Sequence, residues 1–364
     1  MSLSAEQKRE NFSRKMVDIL NAGAINLGLA IGYKLGLLDA LEACGSPETA
    51  ATLARAAGLN LRYVTEWLGI MISAGVVEVE TGGDELKYFL PPEHAACLTR
   101  NAGNANLGVY TQEIPLLTQC ALDAVSEGFK TGDGVEYSRY PRFQAFMTEL
   151  SNAKHTQVLV DQFLPGVDRG RITALLKQGV KVCDLGCGEG VAALLMARAF
   201  PCSEFIGLDI SAEVIEQAQA RADREGLKNL RYLVRDAARL AQQGEFTDYF
   251  DYVVAFDSIH DQTAPLAALE SVRSILRPGG AFSMIDIAAE TNQADNIAHP
   301  MGPFLYTVSL MHCLPVGLAN QGAGLGMMWG RQKAVRMLEE AGFGGVEVRE
   351  IEGDSFNLHF FCRK

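Results

Sequence analysis

A short apolar strand that runs into a glycine-rich turn is the feature that most constrains this chain of 364 residues. Residues 182–190 read Val-Cys-Asp-Leu-Gly-Cys-Gly-Glu-Gly, and Asp209 stands nineteen residues after the last of these glycines. A turn without side chains lets a ligand lie against the backbone, and an acid at the end of the next strand accepts hydrogen bonds from a ribose diol. The pattern therefore predicts an α/β domain that binds a nucleoside.

The turn lacks what a dinucleotide requires. A dinucleotide fingerprint has glycine at its sixth position, where this chain has Val191. Glu189 stands where a phosphate would need donors. Further acids are predicted near the carboxyl ends of strands: Asp184, Asp209, Asp236, Asp257 and Asp261. Such a crevice repels phosphate and suits a cation. S-adenosylmethionine, a phosphate-free nucleoside with a sulfonium centre, satisfies both conditions.

The rest of this region predicts a parallel sheet covered on both faces. Nearly all-apolar strands alternate with helices, which is typical of doubly wound domains. The predicted strands begin at Val182, Phe205, Leu230, Phe250 and Ala281, and residues 346–351 and 357–362 are predicted to form a closing hairpin.

Taken in order, these segments resemble the motifs of the class I methyltransferases. The resemblance implies a seven-stranded, Rossmann-like class I sheet with S-adenosylmethionine as the cofactor. Asp236 stands where this family commonly places an acid against the adenine amino group. The implied cofactor site consists of Asp184, Gly186, Cys187, Gly188, Asp209, Ile210, Asp236, Ala237, Phe256 and Asp257. A doubly wound domain that binds no nucleoside is the alternative, since buried strands and glycine turns occur without ligands.

Residues 1–100 carry a different pattern, that of a mainly α winged-helix domain. A helical periodicity with small residues covers residues 11–38. A short helix is predicted to begin at Ser46, as its N-cap, and to end at Gly58. A second helix at residues 61–74 and a hairpin complete the predicted winged helix.

Charge argues against nucleic acid as the ligand of this module. Residues 1–100 contain nine Lys or Arg against twelve Asp or Glu, and the whole chain has a formal net charge of −12. Phosphate binding favours the reverse. A winged module ahead of a class I domain resembles small-molecule O-methyltransferases of plants and bacteria, and implies a homodimer formed through that module. A nucleic-acid methyltransferase or an S-adenosylmethionine-responsive regulator is the alternative, and a relative that catalyses another reaction also stays open.

Composition is that of an ordinary folded protein, with 48% hydrophobic and 21% charged residues, and the length suits two domains. We predict a winged-helix dimerisation domain at 1–100, a helical linker at 101–170 and the methyltransferase domain at 171–364. No apolar signal segment or membrane span is predicted near the start, and we expect a cytoplasmic protein. The eight cysteines lack zinc-type spacing, so no metal is predicted.

His260 is the candidate catalytic base for a hydroxyl acceptor, because it follows the fourth strand at the ligand edge of the sheet. The pair His260-Asp261 resembles the His-Asp pair of plant-type O-methyltransferases, although those continue with tryptophan and this chain continues Gln-Thr-Ala-Pro. A loop histidine that stacks on the cofactor is the alternative. Asp261 is also predicted to be the N-cap of the helix that follows.

Residues 288–330 form a long insertion after the fifth strand, and segments of that length near a ligand edge are usually functional. We interpret the insertion as a lid over an acceptor pocket for a small, apolar or aromatic molecule, with O-methylation favoured. Tyr306, His312 and Trp329 are the predicted substrate-binding residues. A second hydrophobic core is the alternative. Residues 137–141 are predicted either to close over the cofactor or to pack against a helix.

Overall fold

The computed structural model describes residues 3–140, 146, 149–150, 155–156, 158–244 and 246–364. The chain divides into two compact units, Met1–Leu116 and Leu117–Lys364. Part of the linker predicted at 101–170, and Pro141 with it, lies outside the described residues.

The first unit combines helices with a small antiparallel sheet. Its strands follow the order β1-β3-β2. The elements are α1 Ala5–Lys34, α2 Leu37–Cys44, β1 Glu48–Thr49, α3 Ala50–Ala57, α4 Leu61–Ser73, β2 Glu78–Glu80, β3 Lys87–Phe89 and α5 Pro92–Leu98, followed by 3₁₀ helices at Arg100–Ala105 and Val109–Gln112. The winged-helix prediction is confirmed.

Close packing of α1 against α4 fixes this unit. The indole of Trp67 donates a hydrogen bond to the carbonyl of Gly28 at 2.8 Å. A β-carbon at Gly32 would lie 2.5 Å from the Trp67 ring, so only glycine permits this approach. The small residues of α1 thus do what their pattern predicts. On α4, the side chains of Trp67, Leu68 and Met71 are buried.

The predicted helix start at Ser46 is wrong. Residues Glu48 and Thr49 instead form β1, which pairs with Tyr88 and Lys87 of β3. The helix begins after Thr49, whose side chain accepts a hydrogen bond from the N–H of Thr52 at 3.2 Å. The strand pairing satisfies the backbone groups that a longer helix would have used, so the cap moves three residues along the chain.

The second unit is built around a seven-stranded sheet in the order β6-β5-β4-β7-β8-β10-β9. Strands β4 to β8 are parallel, and β10 is antiparallel to both of its neighbours. The strands are β4 Lys181–Leu185, β5 Glu204–Asp209, β6 Leu230–Val234, β7 Phe250–Phe256, β8 Leu276–Ile287, β9 Gly344–Ile351 and β10 Asp354–Arg363. The predicted seven-stranded Rossmann-like sheet is confirmed.

Helices of the second unit alternate with the parallel strands. The α-helices are α7 Leu164–Gly166, α8 Arg171–Gln178, α9 Val191–Ala199, α10 Ala212–Arg224, α11 Leu240–Gln243, α12 Pro265–Ile275, α13 Gly302–Val308, α14 Leu314–Leu318 and α15 Arg331–Glu340, while α6, Glu113–Thr131, includes the boundary with the first unit. Single π-helical turns lie at Leu159–Phe163 and Ser309–Cys313. Residues 288–330 therefore join β8 to α15 through short helices.

Both faces of the parallel sheet are buried. Val182 of β4 packs into the core on one face, and Cys183 packs into the core on the other. Because β4, β5 and β7 are parallel and in register, their carboxyl ends meet at one edge of the sheet. That edge carries the glycine turn, Asp209 and the segment that begins at Asp257.

Candidate active site

The turn after β4 requires its glycines for two different reasons. Gly186, Gly188 and Gly190 all have positive φ, at 69°, 52° and 74°. A β-carbon at Gly186 would lie 2.5 Å from Ser258, and one at Gly190 would lie 2.3 Å from the Tyr232 ring. At Gly188 a β-carbon would meet nothing within 4 Å. Gly186 and Gly190 are therefore required by packing, whereas Gly188 faces open space.

Asp209 ties β5 to this turn. One of its carboxylate oxygens accepts a hydrogen bond from the N–H of Gly188 and the other accepts from Ser211, each at 2.9 Å. Burial raises the pKa of Asp209. The N–H of Cys187 donates to the β5 backbone at 3.0 Å. Ile210, next along the chain, is 68% exposed, so an apolar surface lies beside the carboxylate.

Asp184 and Glu189 are both satisfied within the protein. Asp184 is buried and accepts a hydrogen bond from the N–H of Ala193 at 3.2 Å, and burial raises its pKa to about 7. It thus anchors the turn to the start of α9. The carboxylate of Glu189 bonds to Arg221 at 2.7 Å. Arg221 neutralises Glu189, so Val191 and Asp209, rather than Glu189, are the residues of the turn that disfavour a phosphate.

Asp236 caps the short 3₁₀ helix that follows β6. Its carboxylate accepts a hydrogen bond from the N–H of Ala238 at 2.9 Å and lies 3.3 Å from the guanidinium of Arg239. Its side chain is 34% exposed, and Ala237 beside it is buried. Asp236, predicted to meet the adenine amino group, and Ala237, predicted to bind the cofactor, therefore lie just after the carboxyl end of β6.

Phe256 and Asp257 end β7. Asp257 has a φ of 48°, which is strained for a residue with a side chain. Its two carboxylate oxygens accept hydrogen bonds from the amide of Asn357 in β10 at 2.8 and 2.9 Å. The Phe256 ring lies 4.8 Å from that of His155. Asn357 thus holds the strained residue at the edge of the sheet.

His260 lies between two carboxylates. Its Nδ1 is 2.8 Å from Oδ1 of Asp286, which also accepts a hydrogen bond from the indole of Trp329 at 3.0 Å. Its Nε2 is 3.4 Å from Oδ1 of Asp261. The side chains of His260 and Asp286 are 3% and 0% exposed, whereas that of Asp261 is 24% exposed. This histidine is therefore reached from the Asp261 side.

The same carboxylates set the protonation of His260. Burial alone would lower the pKa of His260, but Asp286 and then Asp261 more than offset it and raise that pKa well above its ordinary value. The deprotonated imidazole is consequently a strong base, and the proton that it takes up is stabilised at once.

Asp261 does not cap the next helix, contrary to the sequence prediction. Helix α12 begins at Pro265, and its N-cap position is Ala264, which makes no side-chain hydrogen bond. Pro265 has no N–H to satisfy, so the helix needs less from a cap. The carboxylate of Asp261 turns towards His260 instead.

His312 lies on the other side of Asp261. Its Nδ1 is 4.0 Å from Oδ2 of Asp261, and its ring packs edge-on against Tyr140 and Tyr137 at 4.7 and 5.9 Å. Burial lowers the pKa of His312 to about 4, so it is neutral at pH 7. Burial, then Asp209 and then Asp261, raise the pKa of Tyr137. Tyr137 therefore stands near both Asp209 and Asp261.

Tyr306 and Trp329, the other predicted substrate contacts, are committed to protein partners. The Tyr306 hydroxyl accepts a hydrogen bond from Asn296 at 3.1 Å. Trp329 is 4% exposed, and its indole donates a hydrogen bond to Asp286. The structure brings His260 and His312 together around Asp261, and it places Trp329 behind His260.

Sequence reasoning missed Asp286, Asn357 and Cys313. Asp286 left a signal, because an acid inside the otherwise apolar strand β8 needs a buried partner. Asn357 and Cys313 left none, since an asparagine and a cysteine are unremarkable in a strand and a helix.

Comparison with known proteins agrees with this geometry. Residues 176–342 match the family described as "Methyltransferase domain", and residues 23–100 match the "Rv2258c-like winged HTH domain". The chain therefore carries a methyltransferase domain preceded by a winged helix-turn-helix domain, and it is an S-adenosylmethionine-dependent methyltransferase with the class I fold. S-adenosylmethionine is the cofactor of that class.

Relatives and solved structures extend the match. Demethylmenaquinone methyltransferase from Staphylococcus aureus is 25% identical over 195 residues, which cover 50% of this chain and 76% of the relative. A putative O-methyltransferase from Nostoc punctiforme has a TM-score of 0.72 and 17% identity over 96% of this chain and 98% of its own. Human N-acetylserotonin methyltransferase, solved with S-adenosylmethionine, has a TM-score of 0.68 and 18% identity over 100% and 99% of the two chains. The methyltransferase fold thus covers both units.

Proposed function

We propose that this methyltransferase moves a methyl group from S-adenosylmethionine to the hydroxyl of a small, apolar or aromatic acceptor, with His260 as the base. One observation carries the proposal. The imidazole of His260 lies between Asp286 and Asp261 at the carboxyl end of β7, and β7 is the immediate neighbour of the strand that leads into the glycine turn. A histidine oriented by a buried carboxylate is the arrangement of a general base.

The residues of the turn fit the cofactor. Gly188 leaves open space beside its backbone, and Asp209 offers carboxylate oxygens to a ribose diol. Ile210 offers an exposed apolar surface to the adenine ring. Asp236 lies at the next strand end for the adenine amino group. When bound, S-adenosylmethionine supplies the methyl group and a sulfide leaving group.

The chain's own contribution is to orient the acceptor and to remove its proton. Asp286 holds Nδ1 of His260, which leaves Nε2 to face the acceptor hydroxyl. Asp261 and Asp286 then stabilise the imidazolium that forms. Neutral His312, with the rings of Tyr137 and Tyr140, forms a wall without charge, which suits an aromatic acceptor. Holding the acceptor oxygen in line, about 3 Å from the methyl carbon, supplies much of the rate enhancement of methyl transfer.

The test is to measure S-adenosylhomocysteine release with a panel of phenols, amines and thiols. We expect turnover with phenols, and we expect His260→Ala to lower kcat by about 10²- to 10⁴-fold. Cofactor affinity, measured by calorimetry, should stay nearly intact in that variant. His94→Ala, in the winged-helix unit, is the control and should keep its turnover. Unchanged turnover in His260→Ala would remove the base from the mechanism.

We further propose that the enzyme is a homodimer assembled through its first unit, works in the cytoplasm and does not bind nucleic acid. Support for the dimer comes from α1. Large apolar side chains stand exposed along this helix: Phe12, Met16, Val17, Ile19, Leu20, Leu27 and Ile31. By length and mean hydropathy, α1 and residues Gly302–Gln321 are both apolar enough to cross a membrane, but the second is 61% buried and α1 only 22%. We propose that a second copy of the chain packs against these exposed apolar side chains of α1.

A further inference from the structure

The adjacent residues His260 and Asp261, which follow β7, meet Cys313, which ends the π-helical turn Ser309–Cys313. One ligand atom each from His260, Asp261 and Cys313 lies within 4.8 Å of the other two. His260 and Cys313 are buried, and the partly exposed Asp261 gives access to the group. Imidazole, carboxylate and thiolate are the three protein ligands of zinc.

The distance between the His260 and Asp261 ligand atoms suits coordination better than hydrogen bonding. Zinc bonds of about 2.0–2.3 Å in a tetrahedron place neighbouring ligand atoms about 3.3–3.8 Å apart. Nε2 of His260 lies 3.4 Å from Oδ1 of Asp261, which is long for a charge-assisted hydrogen bond of about 2.7–2.9 Å. That same oxygen is buried and has no hydrogen-bond partner among the described residues. A buried carboxylate oxygen in this condition is costly unless a cation satisfies it.

A support for the histidine ligand is already in place. Metal-bound histidines usually direct their other nitrogen to a carboxylate, which fixes the ring orientation. Nδ1 of His260 is 2.8 Å from Asp286, and the indole of Trp329 holds that carboxylate in turn. Among the three ligands, Asp261 and a Cys313 thiolate carry two negative charges, which match the charge of a divalent ion.

We propose that His260, Asp261 and Cys313 form a binding site for a zinc-like divalent cation. On binding, the Cys313 thiol and the Nε2 of His260 each release a proton to solvent, and the ion takes the lone pairs that are freed on the sulfur and on Nε2. Three protein ligands leave a fourth position for water. One consequence rests on the proposed function. The bound ion occupies the Nε2 lone pair that His260 needs as a base, so it inhibits methyl transfer.

Direct metal binding to the full-length protein is the first test, and it needs no activity. With Co²⁺ as the probe, we expect one ion per chain and a thiolate-to-cobalt charge-transfer band in the near ultraviolet. Cys313→Ser and Cys313→Ala should abolish the band and weaken Zn²⁺ affinity by about tenfold or more. Cys202→Ser, which changes an exposed cysteine of the same unit, should keep both. Absence of stoichiometric binding, or a band that survives in Cys313→Ala, would overturn the site.

The second test compares turnover with and without Zn²⁺ within each variant. We expect inhibition in the wild-type chain that a chelator reverses, and a tenfold or greater loss of zinc sensitivity in Cys313→Ala. Zinc bound through Cys313 without inhibition would support the site and overturn the competition with the base. A protein that binds zinc but releases no S-adenosylhomocysteine with any acceptor would instead count against the proposed function alone.

Discussion

His260 shows how a single residue acquires a chemical role from its surroundings. In isolation a histidine titrates near pH 6.5 and burial would make it a weaker base. Asp286 and Asp261 reverse that effect and raise the pKa of His260 well above its ordinary value. Stability follows the same sign: the protonated His260 group stabilises the fold fully at low pH, and this contribution is lost as pH rises through the raised pKa.

Asp286→Asn tests this account at the residue scale. The amide keeps the shape of the side chain but removes the largest of the charges that raise the pKa of His260. We expect the rising limb of the plot of kcat against pH to move to lower pH, because the imidazole loses its proton more readily. The weaker base should lower the plateau by about tenfold or more. Asp295→Asn, an exposed acid, is the control. If the rising limb of the plot does not move, Asp286 does not set the pKa of His260.

At the scale of elements, the glycine turn owes its shape to strands that are distant in sequence. Tyr232 of β6 closes over Gly190, and its hydroxyl donates to the Gly190 carbonyl at 2.7 Å. At Gly188 the turn is open, and this is where we propose that the cofactor lies.

Gly190→Ala and Gly188→Ala should therefore fail in different ways. Both pay the left-handed backbone cost of about 1–2 kcal/mol. Gly190→Ala also forces a methyl group into the Tyr232 ring, so its free energy of unfolding should fall by about 2–4 kcal/mol. Gly188→Ala should lose only the backbone cost but weaken S-adenosylmethionine binding by about tenfold or more. Urea unfolding and calorimetry separate the two, and equal stability losses would contradict the assignment.

The sequence predicted regular elements well because burial of parallel strands leaves apolar runs. Strands β6 and β7 occupy the predicted residues, Leu230–Val234 and Phe250–Phe256. Strand β8 begins at Leu276 rather than Ala281, since Leu276 pairs with Phe250 ahead of an irregularity in the register. Such pairing depends on the partner strand and leaves no local pattern.

Only part of the candidate active site could be predicted from the sequence. The glycine turn, Asp209 and His260 follow strand ends, so periodicity and spacing locate them. Asp286, in β8, and Cys313, in the segment after it, approach His260 only in the folded chain, and no periodicity in the sequence describes that approach. Spacing rules for zinc sites cannot connect His260 with Cys313, because the two residues belong to separate elements.

At the scale of the whole molecule, the apolar surface of α1 needs an explanation. A helix of 30 residues is about 45 Å long, enough to supply much of a stable interface of about 800 Å² per partner. Each large apolar side chain that becomes buried contributes about 1.5–3 kcal/mol. Phe12 and Leu20 are 61% and 68% exposed, so a charge at either position should oppose association.

Phe12→Glu combined with Leu20→Glu should convert the dimer into a monomer. Light scattering should give twice 39.4 kDa for the wild-type chain and 39.4 kDa for the double variant. Ile297→Glu places the same charge on an apolar residue that is 85% exposed in the other unit, and it should leave the mass unchanged. Since α1 also has the hydropathy of a membrane segment, vesicle pelleting is measured in parallel. A monomeric wild-type chain that pellets with vesicles would replace the second copy with a lipid surface as the partner of α1.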